Sequence, residues 1–321
     1  MSIGASSRRS DAGFWSSARS FFLPVGPHID PSTVAGFPID MRVKARSVHW
    51  PQLALVSSGA LHVGVAQYGL GCFERWLAGE GLQWLEAALA AGRHLVSIQE
   101  SDGSWLQNQA FPHTFPVSPP WCSGITQGEG ASLLVRLHLE TNEPELAESA
   151  RRAVYPLTVP QAVGGVQGEL SGLPWPEEYP TEPQSHVLNG AIFALWGMRD
   201  VAVGLNDSDV GRQFEQGVTT LAANLHRYDT GYWSLYSLFP HPVPNPASSF
   251  YHALHVSQLT AMQELAPRPE FDELRIRWKS YSDSRRCQVR AFAAKATFRL
   301  LVPRNRFLAH RLPWNARLGA G

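Results

Sequence analysis

"SHVLNGAIFALWGMRDVAVG", residues 185–204, is the stretch on which the fold turns. It reads as one helix that is almost wholly apolar, and such a helix has to be buried on every side. Further helices flank it. Leu82, Leu85, Leu89 and Val96 lie near helical spacing, and residues 124–139 place Leu133, Leu134 and Leu137 on a second helix. Asn142 followed by Glu145 resembles a capping box, with Pro144 in the first turn, where its missing N–H costs nothing. That helix is expected to run to about Tyr155. Asn206 or Asp207 is expected to cap another, through Leu225, and residues 250–265 and 269–282 predict two more. Strand-like runs are few. "VKARSVHW" (43–50) and "LHVGVAQYGL" (61–70) suggest a short N-terminal β region. The expectation is a mainly α protein built as an α/α toroid, with inner helices enclosed by outer ones.

The chain has 321 residues, and 44% of them are hydrophobic, enough for a sizeable core. Lys+Arg and Asp+Glu balance at 27 each, so no overall field points to nucleic acid. The balance conceals an asymmetry. No acid follows Asp283, whereas Arg285, Arg286, Arg290, Lys295, Arg299, Arg304, Arg306, Arg311 and Arg317 do. This basic tail reads either as solvated chain or as a segment drawn to anionic lipid or polymer. Cys72, Cys122 and Cys287 are too widely spaced for a zinc pattern or a disulfide framework. No run of eighteen apolar residues predicts a membrane span, and no signal peptide is expected, so the expected location is cytoplasmic, at the membrane inner face if the tail binds there. The expected organisation is an N-terminal segment (1–40), a helical catalytic domain (41–283) and the basic tail (284–321).

The connections alternate between short and long. The long ones, 99–122, 156–184 and 227–249, carry Trp105, Phe111, Phe115, Trp121, Trp175, Tyr179, Tyr228, Tyr232, Trp233, Tyr236 and Phe239. Loops of this length in a compact domain are usually functional. Gathered at one end they line a cleft whose aromatic faces, Trp121 and Trp175 among them, suit the C–H faces of sugar rings; alternatively they only seal that end. "QESDGSW" (99–105) is similar to the turn between helices of terpene-cyclase toroids. Here it reads as a helix connection, with Gly103 supplying the tight backbone and Trp105 covering the helix ends. No metal-binding signature, G-x-S-x-G motif or phosphate loop is present. The candidates for chemistry are Glu178-Tyr179 with Asn189 behind them, "YDTGYWSLY" (228–236), and "PNPASSFYHALH" (244–255). In the last, Tyr251, His252 and His255 open a helix, with Tyr251 and His255 one turn apart. A histidine on a helix is more often structural than functional, and His255 is read that way first.

Four motifs in order, "EEYPTEPQSHVLNG" (177–190), "YDTGYWSLYSL" (228–238), "YHALHVSQL" (251–259) and "FDELRIRWKSY" (271–281), together with "QGEGASLLVR" (127–136), resemble the C-terminal domain of the D-glucuronyl C5-epimerase family. The resemblance covers roughly residues 60–283. It implies an incomplete (α/α) toroid and inversion of C5 in glucuronate residues of a heparan-type glycan, with no cofactor and no metal. Glu178 and Tyr179 fall on what looks like the family's acid–tyrosine pair, and Tyr236 and Tyr251 on its other catalytic tyrosines. Asn189, Gln127 and Asn245 fall on substrate-binding positions. There are departures: Phe239 and Ser248 stand where the family has arginines, Phe193 replaces a tyrosine, and the β domains of the animal enzymes have little counterpart. A missing arginine calls for another cation beside the carboxylate, and His252, His255 and His186 are candidates. Glu177 is expected to be solvated or to hold the loop. The expected partners are an anionic glucuronate-containing glycan, a membrane through the basic tail, and a second copy in a homodimer. Two other readings stay open: a uronate polysaccharide lyase, which shares the proton abstraction, and a catalytically inactive glycan-binding homologue.

Overall fold

In the computed structural model, which describes residues 23–48, 62–109 and 113–304, the apolar run forms a helix over Leu188–Gly204 with every residue from Leu188 to Val201 buried. The chain order explains this. Two hairpins come first, α1 (His62–Leu77) with α2 (Leu82–Ser97) and α3 (Gly124–Thr141) with α4 (Pro144–Val154). A small antiparallel pair follows, β1 (Gln167–Leu170) and β2 (Leu173–Pro176), and then α5 (Leu188–Gly204) and α6 (Ser208–Asn224). A second pair, β3 (Leu235–Ser237) and β4 (Asn245–Pro246), precedes α7 (Ser249–Leu265), α8 (Pro269–Asp283) and α9 (Arg285–Leu301). Helices α1, α3, α5 and α7 touch in succession, and each also packs on the helix that follows it. Two rows result, and α5 sits in the inner one against α3, α6 and α7. A helix with neighbours on three sides has no face left for polar residues.

Small residues set the closest approach. A Cβ at Gly128 of α3 would lie 2.4 Å from the Phe193 carbonyl oxygen and 2.6 Å from the Cα of Ala194. A Cβ at Gly197 of α5 would meet the backbone of Gly128 at 2.4 Å. These obstacles are main chain, which cannot rotate away. Gly128→Ala is therefore expected to cost about 3 kcal/mol, the upper part of the usual overpacking range, read as a fall in urea midpoint at constant m-value.

Two arginines and an aspartate on the inner helices form a buried network. Asp200 accepts hydrogen bonds from Arg136 at 2.6 Å and from Arg199 at 3.0 Å. Arg136 also donates to the carbonyls of Ala35, Gly36 and Ser132, and Arg199 to those of Asp30, Pro31 and Thr33. This network fastens the N-terminal segment across α3 and α5.

Three local readings change, and one open choice is decided. The short N-terminal β region is absent among the described residues. "LHVGVAQYGL" from His62 onward belongs to α1, and "VKARSVHW" contains the tail of a 3-10 turn at Arg42–Lys44, its last two residues lying outside the described ones. The brief alternation near residue 61 was outweighed by a longer helical stripe of Val65, Tyr68, Gly69, Cys72 and Phe73, all buried. Asn142 does not cap α4. It takes φ 58° and ends α3, donating its N–H to the His138 carbonyl, while Glu143 precedes Pro144 as N-cap with no capping bond from its side chain, which pairs with Arg93 instead. Between the two candidates for α6, Asp207 is the cap, accepting from the N–H groups of Asp209 and Val210. The basic run after Asp283 continues as helix α9, packed on α8 and β4, with Ala291 and Phe298 buried and Val289, Phe292 and Leu300 exposed. Phe111, Arg306, Arg311 and Arg317 lie outside the described residues. No described helix is long and apolar enough to cross a membrane.

Candidate active site

The 99–105 turn shows how the loops are seated. Gly103 has φ 87°, and a Cβ there would stand 2.0 Å from the Arg152 carbonyl oxygen. Asp102 accepts from the N–H and the hydroxyl of Ser104, and the buried Trp105 indole donates to the Leu95 carbonyl. Gln127 completes the clamp. Its amide oxygen accepts from the Trp105 N–H, and its amide nitrogen donates to the carbonyls of Gly103 and Ala153. Fully buried and bonded in this way, Gln127 lines neither of the two cavities described below. It positions the turn and is not brought to the site.

Glu177 staples the next loop. It is fully buried, and its carboxylate accepts from the Ser185 hydroxyl and the His186 N–H and meets His186 Nδ1 at 2.8 Å. Of its two expected roles it takes the second, holding the loop, and His186 is committed to it. Glu178 turns the other way, against the first turn of α5. Asn189 Nδ2 lies 3.4 Å from its carboxylate, and Gly190 makes room: a Cβ there would be 2.3 Å from Glu178 Oε2. Burial pushes the Glu178 carboxyl up to about 7.

Tyr179 sits in a ring of aromatics, with centroids 5.1 Å from His113, 5.6 Å from Phe115 and 5.6 Å from Trp121. Its hydroxyl interacts with Glu178 and Tyr236. Tyr236 comes from β3 and meets the Tyr251 ring at 4.9 Å and 63°. Tyr251 is on the first turn of α7, which Ser248 caps by accepting the Tyr251 N–H. Burial, foremost, holds the phenols of Tyr179 and Tyr236 well above their ordinary value and Tyr251 at about 12.

Two cavities adjoin these groups. One, about 220 Å³, is lined by Glu178, Asn189, Trp121 and Lys44. The other, about 190 Å³, is lined by Tyr236, Asn245, Lys295, Arg299 and Arg304. Tyr179 and Tyr251 line both and so stand between them. The loops thus bring together Glu178, Tyr179, Tyr236, Tyr251, Asn189, Asn245 and Trp121.

Other candidates are elsewhere. Trp175 is buried 6.2 Å from the Tyr228 ring and borders a separate small cavity with Leu195 and Met198. His252 and His255 are fully buried beneath Trp233 and Trp278. His252 Nδ1 meets the N–H and hydroxyl of Ser234, His255 Nδ1 meets the same hydroxyl, and His252 Nε2 meets the Trp278 carbonyl. Burial lowers His252 to about 4 and holds His255 well below its ordinary value, which favours the neutral ring in both, so neither supplies a cation. The cations lining the site are instead Lys44, Lys295, Arg299 and Arg304, which motif reading did not select. A signal was present: Lys295 and Arg299 are four apart, on one helical face of the acid-free run.

Residues 99–280, more than half of the chain, match the family model described as D-glucuronyl C5-epimerase C-terminus. The chain belongs to the D-glucuronyl C5-epimerase family. One relative, the D-glucuronyl C5-epimerase of Caenorhabditis elegans, is 30% identical over 224 residues, covering 64% of this chain and 36% of the relative. Another, an uncharacterized protein of Methanocaldococcus jannaschii, is 25% identical over 159 residues, 48% of this chain and 50% of the relative. The chain thus spans between about a third and a half of the length of these curated relatives. The family match takes in Glu178 and all three site tyrosines of this epimerase-family chain and ends before α9.

Proposed function

We propose that the chain inverts C5 of D-glucuronate residues in a glycan, giving L-iduronate, through Tyr179 and Tyr251 acting on opposite faces of the sugar. The observation that carries this is the position of the two phenols, which together divide two cavities, with Glu178 beside one of them. Epimerisation needs a base on one face, an acid on the other and a means of carrying the charge that develops next to the carboxylate. A buried tyrosine begins protonated, so it becomes a base only as its proton leaves. Glu178, in contact with Tyr179, is the acceptor: Tyr179 takes the C5 proton while its own passes to Glu178, and Tyr251 delivers a proton to the other face. Tyr236, touching both phenols, binds at the carboxylate. Asn189 and Asn245 hold hydroxyl or carbonyl groups of the sugar, and Trp121 offers a ring face. The two rows of helices support an incomplete (α/α) toroid, with the long loops at the end that carries the site.

The test is incubation with a polymer of alternating glucuronate and N-acetylglucosamine in deuterated water. NMR is expected to show deuterium at C5 and the appearance of iduronate. No exchange on any glucuronate polymer would overturn the reading, and ultraviolet absorbance of an unsaturated uronate would replace it with a lyase. The pH dependence follows from Glu178, which works when ionised. Its carboxyl is raised to about 7, so kcat is expected to be low at pH 5.5 and to rise through about pH 7. Glu178→Gln should remove that limb along with most of the activity.

A further inference from the structure

We infer that the uronate carboxylate is held by a cationic arm formed by α9 and residues 302–304, with Lys295, Arg299 and Arg304 as its binding residues. This rests on the epimerase reading for the substrate and adds what recognises its charge. The cavity of about 190 Å³ that meets Tyr179, Tyr236 and Tyr251 is lined by these three cations and, among the described residues, by no Asp or Glu. Lys295 is half-buried there, and like charges beside it disfavour its charged form unless an anion joins them. Its ammonium is lowered to about 7 by burial first and then by Arg299 and Arg304.

The arm is held in place. Lys295 Nζ donates to Asn245 Oδ1 at 2.8 Å and to the Pro246 carbonyl at 2.7 Å. An ammonium has three protons, so one remains for a ligand. Phe298, fully buried, packs its ring 5.1 Å from His241, and the Arg290 guanidinium lies 4.0 Å over the Tyr232 ring. These contacts fasten α9 to the same loop that carries Tyr236. Asn245 therefore acts in part by positioning Lys295. The arrangement suits a carboxylate, which accepts charge-assisted hydrogen bonds from an ammonium and a guanidinium together. Removing the C5 proton turns that carboxylate into a more negative enolate, so the same cations assist the reaction. All three residues lie beyond the stretch that matches the family model.

The test uses the full chain and two probes, a hexasaccharide of alternating glucuronate and N-acetylglucosamine and the same oligosaccharide with its carboxyls reduced to alcohols. Binding is read by calorimetry, which does not depend on turnover. The wild type is expected to prefer the charged probe by about 100-fold, as two charge-assisted bonds would give. The double variant Lys295→Gln/Arg299→Gln should lose that preference and keep its affinity for the reduced probe. Lys295→Arg should restore most of it. If the double variant does not fold, Arg299→Gln alone is to show a reduced preference. Unchanged binding of the charged probe in the double variant, or no preference in the wild type, would overturn the inference. The two readings fail separately. A wild type that shows the charge preference but no C5 exchange refutes the epimerase reading and leaves the carboxylate site standing. A variant that exchanges and binds like the wild type refutes the arm alone.

Discussion

Tyr179→Phe and Tyr251→Phe are each expected to lower conversion of glucuronate to iduronate by about 10²–10⁴-fold, the range for removing a positioned proton donor or acceptor. That corresponds to about 3–5 kcal/mol of lost transition-state stabilisation. The fold should survive, because each substitution removes one oxygen and leaves the ring in its aromatic setting. A two-sided mechanism makes a sharper statement. Inversion stops in both variants, but the variant that keeps the tyrosine facing the C5 hydrogen still exchanges that hydrogen with retention. NMR of the sugar after incubation in deuterated water distinguishes the outcomes, and undiminished iduronate formation in both variants would remove these residues from the reaction.

Asp200→Ala is expected to lower stability by about 3–5 kcal/mol, the cost of stripping a buried ion pair of one partner. Asp200 is fully buried between Arg136 and Arg199, whose side chains are 1% and 4% exposed. Without it two guanidiniums remain buried with only carbonyl acceptors. Asp200→Asn keeps an acceptor for one of them and should cost less. Urea unfolding monitored by tryptophan fluorescence measures both, and amide exchange should rise in residues 33–37, which the same arginines fasten. A shift under about 1 kcal/mol for the alanine variant would show that the network is not what holds this end of α3 and α5.

Much of the helical layout was legible because burial leaves a local trace. A helix enclosed by three neighbours has to be largely apolar all round, and residues 185–204 are, apart from a few polar groups such as Asn189, Arg199 and Asp200 that find partners. Asp207, one of the two caps proposed for α6, was legible because its hydrogen bonds span only two or three residues. Asn142 was misread because the same residue type that begins helices also ends them in the left-handed conformation, and only the path of the chain distinguishes the two. The 61–70 stretch was misread because a few alternating residues fit either period.

The candidate site divides in the same way. Glu178-Tyr179, Tyr236 and Tyr251 were legible as motifs. The structure adds that Tyr179 and Tyr251 stand between two cavities, although they are far apart in the chain. His252 and His255 stand among the candidate cations, His255 read first as structural, until Ser234 and the Trp278 carbonyl occupy them. Gln127 looks like a ligand group until the 99–105 turn and the Ala153 carbonyl take its bonds. Lys295 and Arg299 looked like solvated tail until α9 turned them toward the tyrosines. The sequence by itself determined most of the helices (though not the start of α1, or α9), which helix is enclosed, and which residue types are available for proton transfer, since these depend on periodicity and composition over a few turns. Only the tertiary structure decided which polar groups are already satisfied and which face an open cavity, because that depends on partners tens of residues away.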